Sequence, residues 1–287
     1  MAHPSQQEVD LAVKVALRED VGKGDLSAAL VPAEARAIAI VTARESAVIA
    51  GQAWFNAVFQ QLDESLKVVW MVKDGDYAAP NQELCRIEGL ARPMLTGERT
   101  ALNFLQTLSG TATQTMHFVE RVKGTKAKIL DTRKTLPGMR LAQKYAVTCG
   151  GGFNHRAGLY DAVMIKENHI AAAGSIAAAV DAARKLPGNP RVIVEAENLY
   201  QVEDALACHI DQILLDNLAS HILARAVGMC TTYKNQNRNR ELIVEASGNI
   251  DMKNIRDVAD AGVDCISLGS LTKNVRAVDL SMRFSNA

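Results

Sequence analysis

The stretch that decides the fold covers residues 162–217 and reads AVMIKENHIAAAGSIAAAVDAARKLPGNPRVIVEAENLYQVEDALACHIDQILLDN. It contains short, largely apolar runs at 162–165, 192–194 and 212–215, and alanine-rich segments with helical spacing lie between them. Short apolar strands that alternate with helices of about ten residues form βα units, in which the strands pair in parallel. The stretch therefore predicts an α/β fold.

The same alternation continues on both sides of this stretch. An apolar run precedes it at 128–130, and two more follow at 242–244 and 264–268. Ser175 can cap the first of the intervening helices, and Pro187 can end it. Such a long series of strand-helix units suits a β/α barrel, although a doubly wound sheet fits the same pattern.

The first hundred residues follow a different pattern. Residues 6–18 have helical periodicity, and residues 37–41 and 66–72 read as strands, which indicates an α+β layer. Residues 98–122 then form one long apolar-striped segment without proline. This segment predicts a helix that links the two parts of the chain.

Composition limits the classes of partner and compartment. Lys and Arg together number 32, as do Asp and Glu, so the 287 residues have zero formal charge and no general attraction for nucleic acid or a membrane surface. The five cysteines contain no C-x-x-C pair, which argues against a disulfide framework and a structural zinc site. Residues 1–10 lack the order of a signal peptide, and no apolar run is long enough to span a bilayer, so a cytoplasmic protein is expected.

Polar side chains follow each predicted strand. In chain order they are Asp131-Thr132-Arg133-Lys134, Lys166-Glu167-Asn168-His169, Glu195-Ala196-Glu197-Asn198, Asp216-Asn217, Glu245-Ala246-Ser247-Gly248 and Gly269-Ser270. The carboxyl ends of barrel strands converge on one face, so these groups would meet on a single concave surface. At any one strand the polar residues have a simpler explanation, the return of the chain to solvent, but the whole series favours a site.

The charges at these strand ends indicate two separate tasks. Glu195 and Asp216 offer the oxygen ligands that Mg2+ uses when it also holds phosphates, and a salt-bridged pair of acids is the alternative. The basic residues are Arg99, Arg133, Lys134, His155, Arg156 and Lys166. Arginine binds carboxylates through two parallel hydrogen bonds and lysine acts as a point charge, so this set in a neutral protein predicts a small, strongly anionic substrate.

Glycine-rich loops form a third feature of the strand ends. They are Gly150-Gly151-Gly152, Ser247-Gly248-Asn249 and Leu268-Gly269-Ser270. Loops after the last strands of a barrel often bind phosphate through backbone N–H groups, and glycine lets the backbone come close. Each loop alone is a weak signal, because turns also use glycine.

Several longer motifs carry a resemblance to a known family. They are GERTALN at 97–103, LSGTAT at 108–113, DTRKTLPG at 131–138, GGGFNHRAG at 150–158, IKENH at 165–169, LDN at 215–217 and EASG at 245–248. In this order, and from Glu19 to Thr272, the chain resembles quinolinate phosphoribosyltransferase. It departs from the usual pattern at Leu136, where a threonine is common, at Asn249, where glycine is common, and at Glu167, where aspartate is frequent.

The resemblance implies an architecture and an activity. It implies an N-terminal α+β sandwich domain at 1–110 and an incomplete parallel β/α barrel at 111–272, with the tail 273–287 packing back on the first domain. The enzyme would transfer phosphoribosyl from phosphoribosyl pyrophosphate to quinolinate with loss of carbon dioxide, giving nicotinate mononucleotide and pyrophosphate for NAD biosynthesis. Mg2+ would be the cofactor, and the enzyme would be a homodimer, or a higher oligomer, whose site borrows Arg99 from the partner.

The resemblance also implies a role for each site residue. The quinolinate carboxylates would be held by Arg133, His155, Arg156 and Lys166. Lys134 would lie between the two substrates, and Glu195 and Asp216 would lie by the ribose and its Mg2+, directly or through water; these three would be the catalytic residues. The 5-phosphate would be lined by Ser247, Gly248, Asn249, Gly269 and Ser270.

Three other functions fit parts of the pattern. One is a phosphoribosyltransferase for nicotinate or another small aromatic acid, which a smaller basic set would favour. The second is an aldolase that forms a Schiff base at Lys166. The third is a catalytically silent protein that binds anionic metabolites, and the presence of Lys134, Glu195 and Asp216 speaks against it.

Overall fold

The computed structural model describes residues 4–285. Up to residue 121 its elements are α1 (Gln6–Val21), a 3-10 turn (Ala28–Leu30), β1 (Arg36–Ala43), β2 (Ala47–Val48), α2 (Gln52–Leu62), β3 (Lys67–Trp70), β4 (Tyr77–Ala78), β5 (Glu83–Leu90) and α3 (Ala91–Arg121). They are followed by β6 (Lys128–Leu130), α4 (Arg140–Cys149), β7 (Val163–Ile165), α5 (Glu167–Ala173), α6 (Ile176–Arg184), β8 (Val192–Ala196), α7 (Leu199–Ala207), β9 (Gln212–Asp216), α8 (Ser220–Gln236), β10 (Ile243–Ser247), α9 (Ile255–Asp260), β11 (Cys265–Ser267), α10 (Ser270–Lys273) and β12 (Leu280–Ser285).

The described residues form two compact units, and neither is continuous in sequence. The first holds the residues through Met116, Lys134–Gly151 and the residues from Ser270 onward. The second holds His117–Arg133 and Gly152–Gly269. The predicted domain boundary between residues 110 and 111 stays a prediction.

The first unit contains an antiparallel sheet with the strand order β12-β1-β5-β3. β1 is an inner strand, pairing with β5 on one side and with β12 on the other. α1 begins at a capping box, in which the Ser5 hydroxyl accepts the Glu8 N–H and the Glu8 carboxylate accepts the Ser5 N–H. Val9, Val13 and Leu17 recur on the buried face of α1 and join the apolar core of this unit.

The second unit contains a parallel sheet with the strand order β6-β11-β10-β9-β8-β7. Each strand from β7 to β11 lies beside its neighbour in the chain, and β6 lies beside the last of them. This order is that of a barrel left open between β6 and β7, and it lacks the reversal that defines a doubly wound sheet. At the opening, Leu130 forms an isolated bridge with Phe153.

The predicted fold class, an incomplete parallel β/α barrel with an N-terminal α+β domain, is confirmed. Ser175 caps α6 as predicted, because its hydroxyl accepts the N–H of Ala178 at 3.1 Å. The long helix begins earlier than residue 98, at Ala91, although Pro93 lies in its first turn. Proline is tolerated there because the first N–H groups of a helix have no intrahelical acceptor. Among residues 4–285, no helix is long and apolar enough to cross a membrane.

Candidate active site

The carboxyl ends of the parallel strands carry the second unit's predicted site residues. Arg133 lies just beyond β6, Lys166 follows β7, Glu195 lies in β8, Asp216 ends β9 and Ser247 ends β10. Because parallel strands end at the same edge of a sheet, the topology brings these groups to one side of the second unit. Gly269 follows β11 at the same edge.

An ion pair joins two neighbouring strand ends. The Lys166 ammonium bonds Oε2 of Glu195, whose residue is only 8% exposed. Burial raises the pKa of Glu195 above its ordinary value; the hydrogen bond and charge of Lys166 oppose the rise, and the nearby charges of Asp216 and Glu167 add to it. Glu195 is thus a carboxylate whose charge depends on the cation beside it.

Further carboxylates surround Glu195. Oxygens of Glu167, Glu195 and Glu197 all lie within 4.8 Å of one another. Asp216 is not one of these three, although its charge acts on Glu195. Carboxylate oxygens are the ligands that Mg2+ prefers, so this donor set fits a magnesium ion that also holds phosphate.

Two arginines lie together on the basic side of the site. Nη1 of Arg156 donates to the carbonyl of Ala162 at 3.1 Å, which fixes the direction of the guanidinium. Burial and the nearby charge of Arg133 lower the pKa of Arg156, and the carboxylate of Asp161 acts against them. Arginine keeps its proton even so, and the mutual repulsion of two such cations favours the binding of an anion between them.

The loop that carries His155 and Arg156 is held by Asp131, a fully buried residue. One carboxylate oxygen of Asp131 accepts the His155 N–H at 2.8 Å, and the other accepts the Asn154 side-chain amide at 2.6 Å. Asp131 follows β6 directly, and its motif predicted no separate role for it. Its position two residues before Arg133 was the sequence feature that could have indicated a role at the site.

A second buried acid lies beneath this loop. Glu245, in β10, is 0% exposed, and its Oε2 lies 3.1 Å from Nε2 of His155. The same oxygen accepts the side-chain amide of Gln212, and Gln212 in turn accepts a hydrogen bond from Arg191. Sequence reasoning gave Gln212 and Arg191 no role, because Gln212 begins β9, Arg191 directly precedes β8, and neither belongs to a polar motif.

The glycine loop after β10 has a conformation that requires glycine. Gly248 has φ +86°, and a Cβ on it would lie 2.7 Å from the backbone nitrogen of Asn217. Asn217 N–H donates to the Ser247 carbonyl at 2.9 Å, and the Asn249 side chain donates to that of Asn217 at 2.8 Å. The loops after β9 and β10 are therefore locked together, with backbone groups close to the strand ends.

The remaining predicted residues belong to the first unit. Arg99 is exposed on α3, Lys134 is exposed in the segment before α4, and Ser270 begins α10. The carbonyl of Lys134 accepts the hydroxyl of Thr272 at 2.8 Å, which ties the Lys134 segment to α10 within this unit.

Comparison with known proteins identifies the family. Residues 25–109 match the N-terminal domain of quinolinate phosphoribosyl transferase, and residues 111–283 match the C-terminal domain. The chain belongs to the quinolinate phosphoribosyl transferase family. Membership in this family is at odds with an aldolase role for Lys166, as is the ion pair that engages its ammonium.

Relatives in this family match almost the whole chain. The probable nicotinate-nucleotide pyrophosphorylase (carboxylating) of Bacillus subtilis is 38% identical over 265 residues, which cover 92% of this chain and 89% of that protein. The solved nicotinate-nucleotide pyrophosphorylase of Francisella tularensis is 42% identical with a TM-score of 0.91, covering 98% of each chain. NadC from Streptococcus pyogenes is 38% identical with a TM-score of 0.92, covering all of each chain.

Proposed function

We propose that this protein transfers the phosphoribosyl group of phosphoribosyl pyrophosphate to quinolinate, with decarboxylation, to give nicotinate mononucleotide, pyrophosphate and carbon dioxide in NAD biosynthesis. The observation that carries the proposal is that two neighbouring arginines and a lysine paired with the buried Glu195 lie at one edge of the barrel, in a chain that matches this family in both halves. The basic groups suit a dicarboxylate, and the acids suit a cationic transition state.

The basic side is proposed to bind quinolinate. Arg133 and Arg156 would each grip a carboxylate through their planar guanidinium groups, and Lys166 would share its charge between a carboxylate and Glu195. His155, next to Arg156 in the chain, would contribute to the same pocket. Arg99 would act across the interface of a homodimer and complete the pocket of the other subunit.

The other strand ends are proposed to bind phosphoribosyl pyrophosphate. Lys134 would lie between the two anionic substrates and reduce their repulsion. The 5-phosphate would be bound by backbone N–H groups and short side chains of Ser247, Gly248, Asn249, Gly269 and Ser270. Glycine at position 248 supports this role, because the chain there adopts a φ of +86° that side chains rarely allow.

The acids are proposed to stabilise the sugar in the transition state. The ring nitrogen of quinolinate attacks C1 of the ribose as the bond from C1 to pyrophosphate breaks, and positive charge develops on the sugar. Glu195 and Asp216 would stabilise that charge, and the site would hold two anions in line that repel each other in water. In the product of transfer, the cationic pyridinium accepts the electron pair released when the 2-carboxylate leaves as carbon dioxide, and a proton then replaces the carboxylate.

Magnesium is the proposed cofactor. Glu195 and Asp216 would hold it, directly or through water, and the neighbouring oxygens of Glu167 and Glu197 support such a site. The ion would neutralise charge on the departing pyrophosphate. We also propose a cytoplasmic location, since all five cysteines are free thiols, as is usual in a reducing compartment.

A carbon-release assay tests the proposed reaction. The protein is incubated with phosphoribosyl pyrophosphate, Mg2+ and quinolinate labelled in its 2-carboxylate, and nicotinate is run in parallel without label. Labelled carbon dioxide released only when both substrates and the metal are present is the expected result. Turnover of nicotinate alone would show that the dicarboxylate pocket is wrongly assigned.

Arg156→Ala tests the pocket directly. Loss of one charge-assisted pair, about 1.5–3 kcal/mol, corresponds to at least a ten-fold rise in KM for quinolinate. Arg225→Ala is a matched control, because Arg225 is an exposed arginine on α8 and belongs to no part of the proposed pocket. Similar steady-state constants for both variants would contradict the assignment.

Mixing two inactive variants tests the shared site. Arg99→Ala and Arg133→Ala each remove one half of a pocket that the proposal divides between subunits. Exchange of subunits in the mixture would rebuild intact sites, so activity should return in part. If the mixture stays as inactive as each variant alone, Arg99 does not act across an interface.

A further inference from the structure

A chain of hydrogen bonds runs through the interior of the second unit to the proposed quinolinate pocket. It joins Arg191, Gln212, Glu245 and His155, and it ends at the backbone of Arg156. Gln212 and Glu245 lie in adjacent strands, β9 and β10, and are 1% and 0% exposed. No part of the proposed reaction uses these buried groups.

The direction of each hydrogen bond follows from the groups at the two ends. At the outer end, the Arg191 guanidinium can only donate, so the carbonyl oxygen of Gln212 faces it. The amide NH2 of Gln212 must then face Glu245, and it donates to Oε2. Oε2 of Glu245 is therefore an acceptor from this side.

The same reasoning applies from the inner end. The Arg156 backbone N–H can only donate, and it lies 2.7 Å from Nδ1 of His155. Nδ1 is therefore an acceptor without a proton. A neutral imidazole carries one proton, which must then be on Nε2, 3.1 Å from Oε2 of Glu245.

Glu245 is thus the acceptor for two donors, the side-chain amide of Gln212 and the Nε2–H of His155. Its Oε2 accepts hydrogen bonds from both sides and therefore carries no proton itself, since a hydrogen there would point at a donor. Its other oxygen, Oε1, is buried with no hydrogen-bond partner among residues 4–285. All hydrogen bonding of this carboxylate is concentrated on the oxygen that faces His155.

We propose that Glu245 is a positioning residue: its carboxylate accepts the Nε2–H of His155, which leaves Nδ1 to accept the Arg156 N–H, and His155 in turn holds Arg156 in the orientation that binds quinolinate. The part of this inference that concerns quinolinate rests on the proposed function. The imidazole acts here as a brace for the backbone of Arg156, while the guanidinium is directed by its bond to the Ala162 carbonyl.

Two substitutions separate the acceptor from the charge. Glu245→Gln retains an oxygen that can accept from both sides, whereas Glu245→Met fills similar space and has no such acceptor. We expect His155 to stay protonated on Nε2 in the first variant and to exchange between both tautomers in the second. Quinolinate affinity should change by less than about three-fold in Glu245→Gln and fall by about ten-fold or more in Glu245→Met, as for loss of one hydrogen bond to a charged group.

The tautomer is read from long-range 1H–15N NMR spectra of the ligand-free protein, with the His155 signals assigned by their loss in His155→Asn. Binding of quinolinate and of phosphoribosyl pyrophosphate with Mg2+ is measured separately by calorimetry, and only the former should weaken. The inference is overturned if the unmodified protein carries the proton on Nδ1 or a doubly protonated ring, a result that needs no variant to fold. It is also overturned if Glu245→Met leaves the tautomer, or the quinolinate affinity, unchanged.

These measurements distinguish the inference from the proposed function. The tautomer is observed without substrate, so it reports on Glu245 and His155 whatever reaction the protein catalyses. If the protein binds quinolinate with the expected dependence on Glu245 but releases no labelled carbon dioxide, the proposed reaction is wrong and the positioning role of Glu245 is supported. If turnover is normal but the tautomer of His155 does not depend on Glu245, the proposed reaction is supported and the positioning role is wrong.

Discussion

Replacing Lys166 with methionine should raise the pKa of Glu195 further above its ordinary value. The two residues form an ion pair in which the lysine side chain is 40% exposed and the glutamate side chain 9%. A hydrogen bond between charged groups contributes about 1.5–3 kcal/mol, and solvent around the half-exposed lysine reduces this to the lower end of the range. Loss of the ammonium therefore removes about 1.5 kcal/mol of stabilisation from the ionised form of Glu195, which raises the pKa of that carboxyl.

The sign of the effect on stability follows from the direction of the shift. Burial raises the pKa of Glu195 already, so the folded protein binds this proton more tightly than the unfolded chain does. That contribution to the free energy of unfolding is present at acid pH and is lost as the pH rises through the folded-state pKa. Lys166→Met should therefore match the unmodified protein in Tm at acid pH, where Glu195 is protonated in both, and fall progressively below it as the pH rises toward 7 and Glu195 ionises.

Carboxyl 13C NMR of the ligand-free protein measures the pKa of Glu195 directly, with the signal assigned by its loss in Glu195→Gln. Lys234→Met is the control, since Lys234 pairs with Asp264 at 2.6 Å and takes no part in the Glu195 site. It should leave the pKa of Glu195 in place. An unchanged or lowered pKa in Lys166→Met would refute the reasoning, because the ammonium would then not be what keeps this buried carboxyl charged.

Two further substitutions test the backbone and a distant charge. In Gly248→Ala, the new Cβ would lie 2.7 Å from the backbone nitrogen of Asn217, at a φ of +86°. Calorimetry should then show at least a ten-fold loss of phosphoribosyl pyrophosphate affinity, which corresponds to about 1.4 kcal/mol. Gly228→Ala is the control: Gly228 lies on α8 with open space around it, so this variant should leave the affinity unchanged. Asp264→Asn should lower Tm at neutral pH: burial alone would raise the Asp264 pKa, but hydrogen bonds from two lysines and a backbone N–H outweigh it and lower the pKa. The gap in Tm should begin to close as the pH falls below about 4, the ordinary aspartate value, and should vanish only below the lowered pKa of the folded protein, where the native Asp264 is protonated too.

Much of the barrel was predictable because its signals are local. Each strand is a short apolar run, and helices such as α6 and α7 begin at a side-chain cap, Ser175 and Asn198. The polar residues directly after these runs indicated the functional edge, because parallel strands must end on the same side. The same local pattern placed Glu195 and Asp216 in neighbouring strands.

The buried network was not predictable for a physical reason. Glu245 lies in an otherwise apolar strand, and its partner Gln212 is 33 positions away in the chain. Their contact depends on the parallel register in which Ile243 lies opposite Gln212 and Glu245 opposite Leu214. Hydrophobic periodicity does not determine such a register to one residue, and it carries no information on which nitrogen of His155 bears the proton. The pairing of β12 with β1 was likewise invisible to local patterns.

That last pairing has a consequence for synthesis of the protein. β1 is covered on one side by β5, which leaves the ribosome soon after it, but its other partner is β12. β12 emerges only after every other strand of the sheet has been made. Until then β1 presents a row of unpaired N–H and C=O groups, the kind of edge that recruits strands from other nascent chains. A premature stop between residues 270 and 280 would make this exposed edge permanent, so the truncated product should be prone to aggregation even though all residues of the second unit are present.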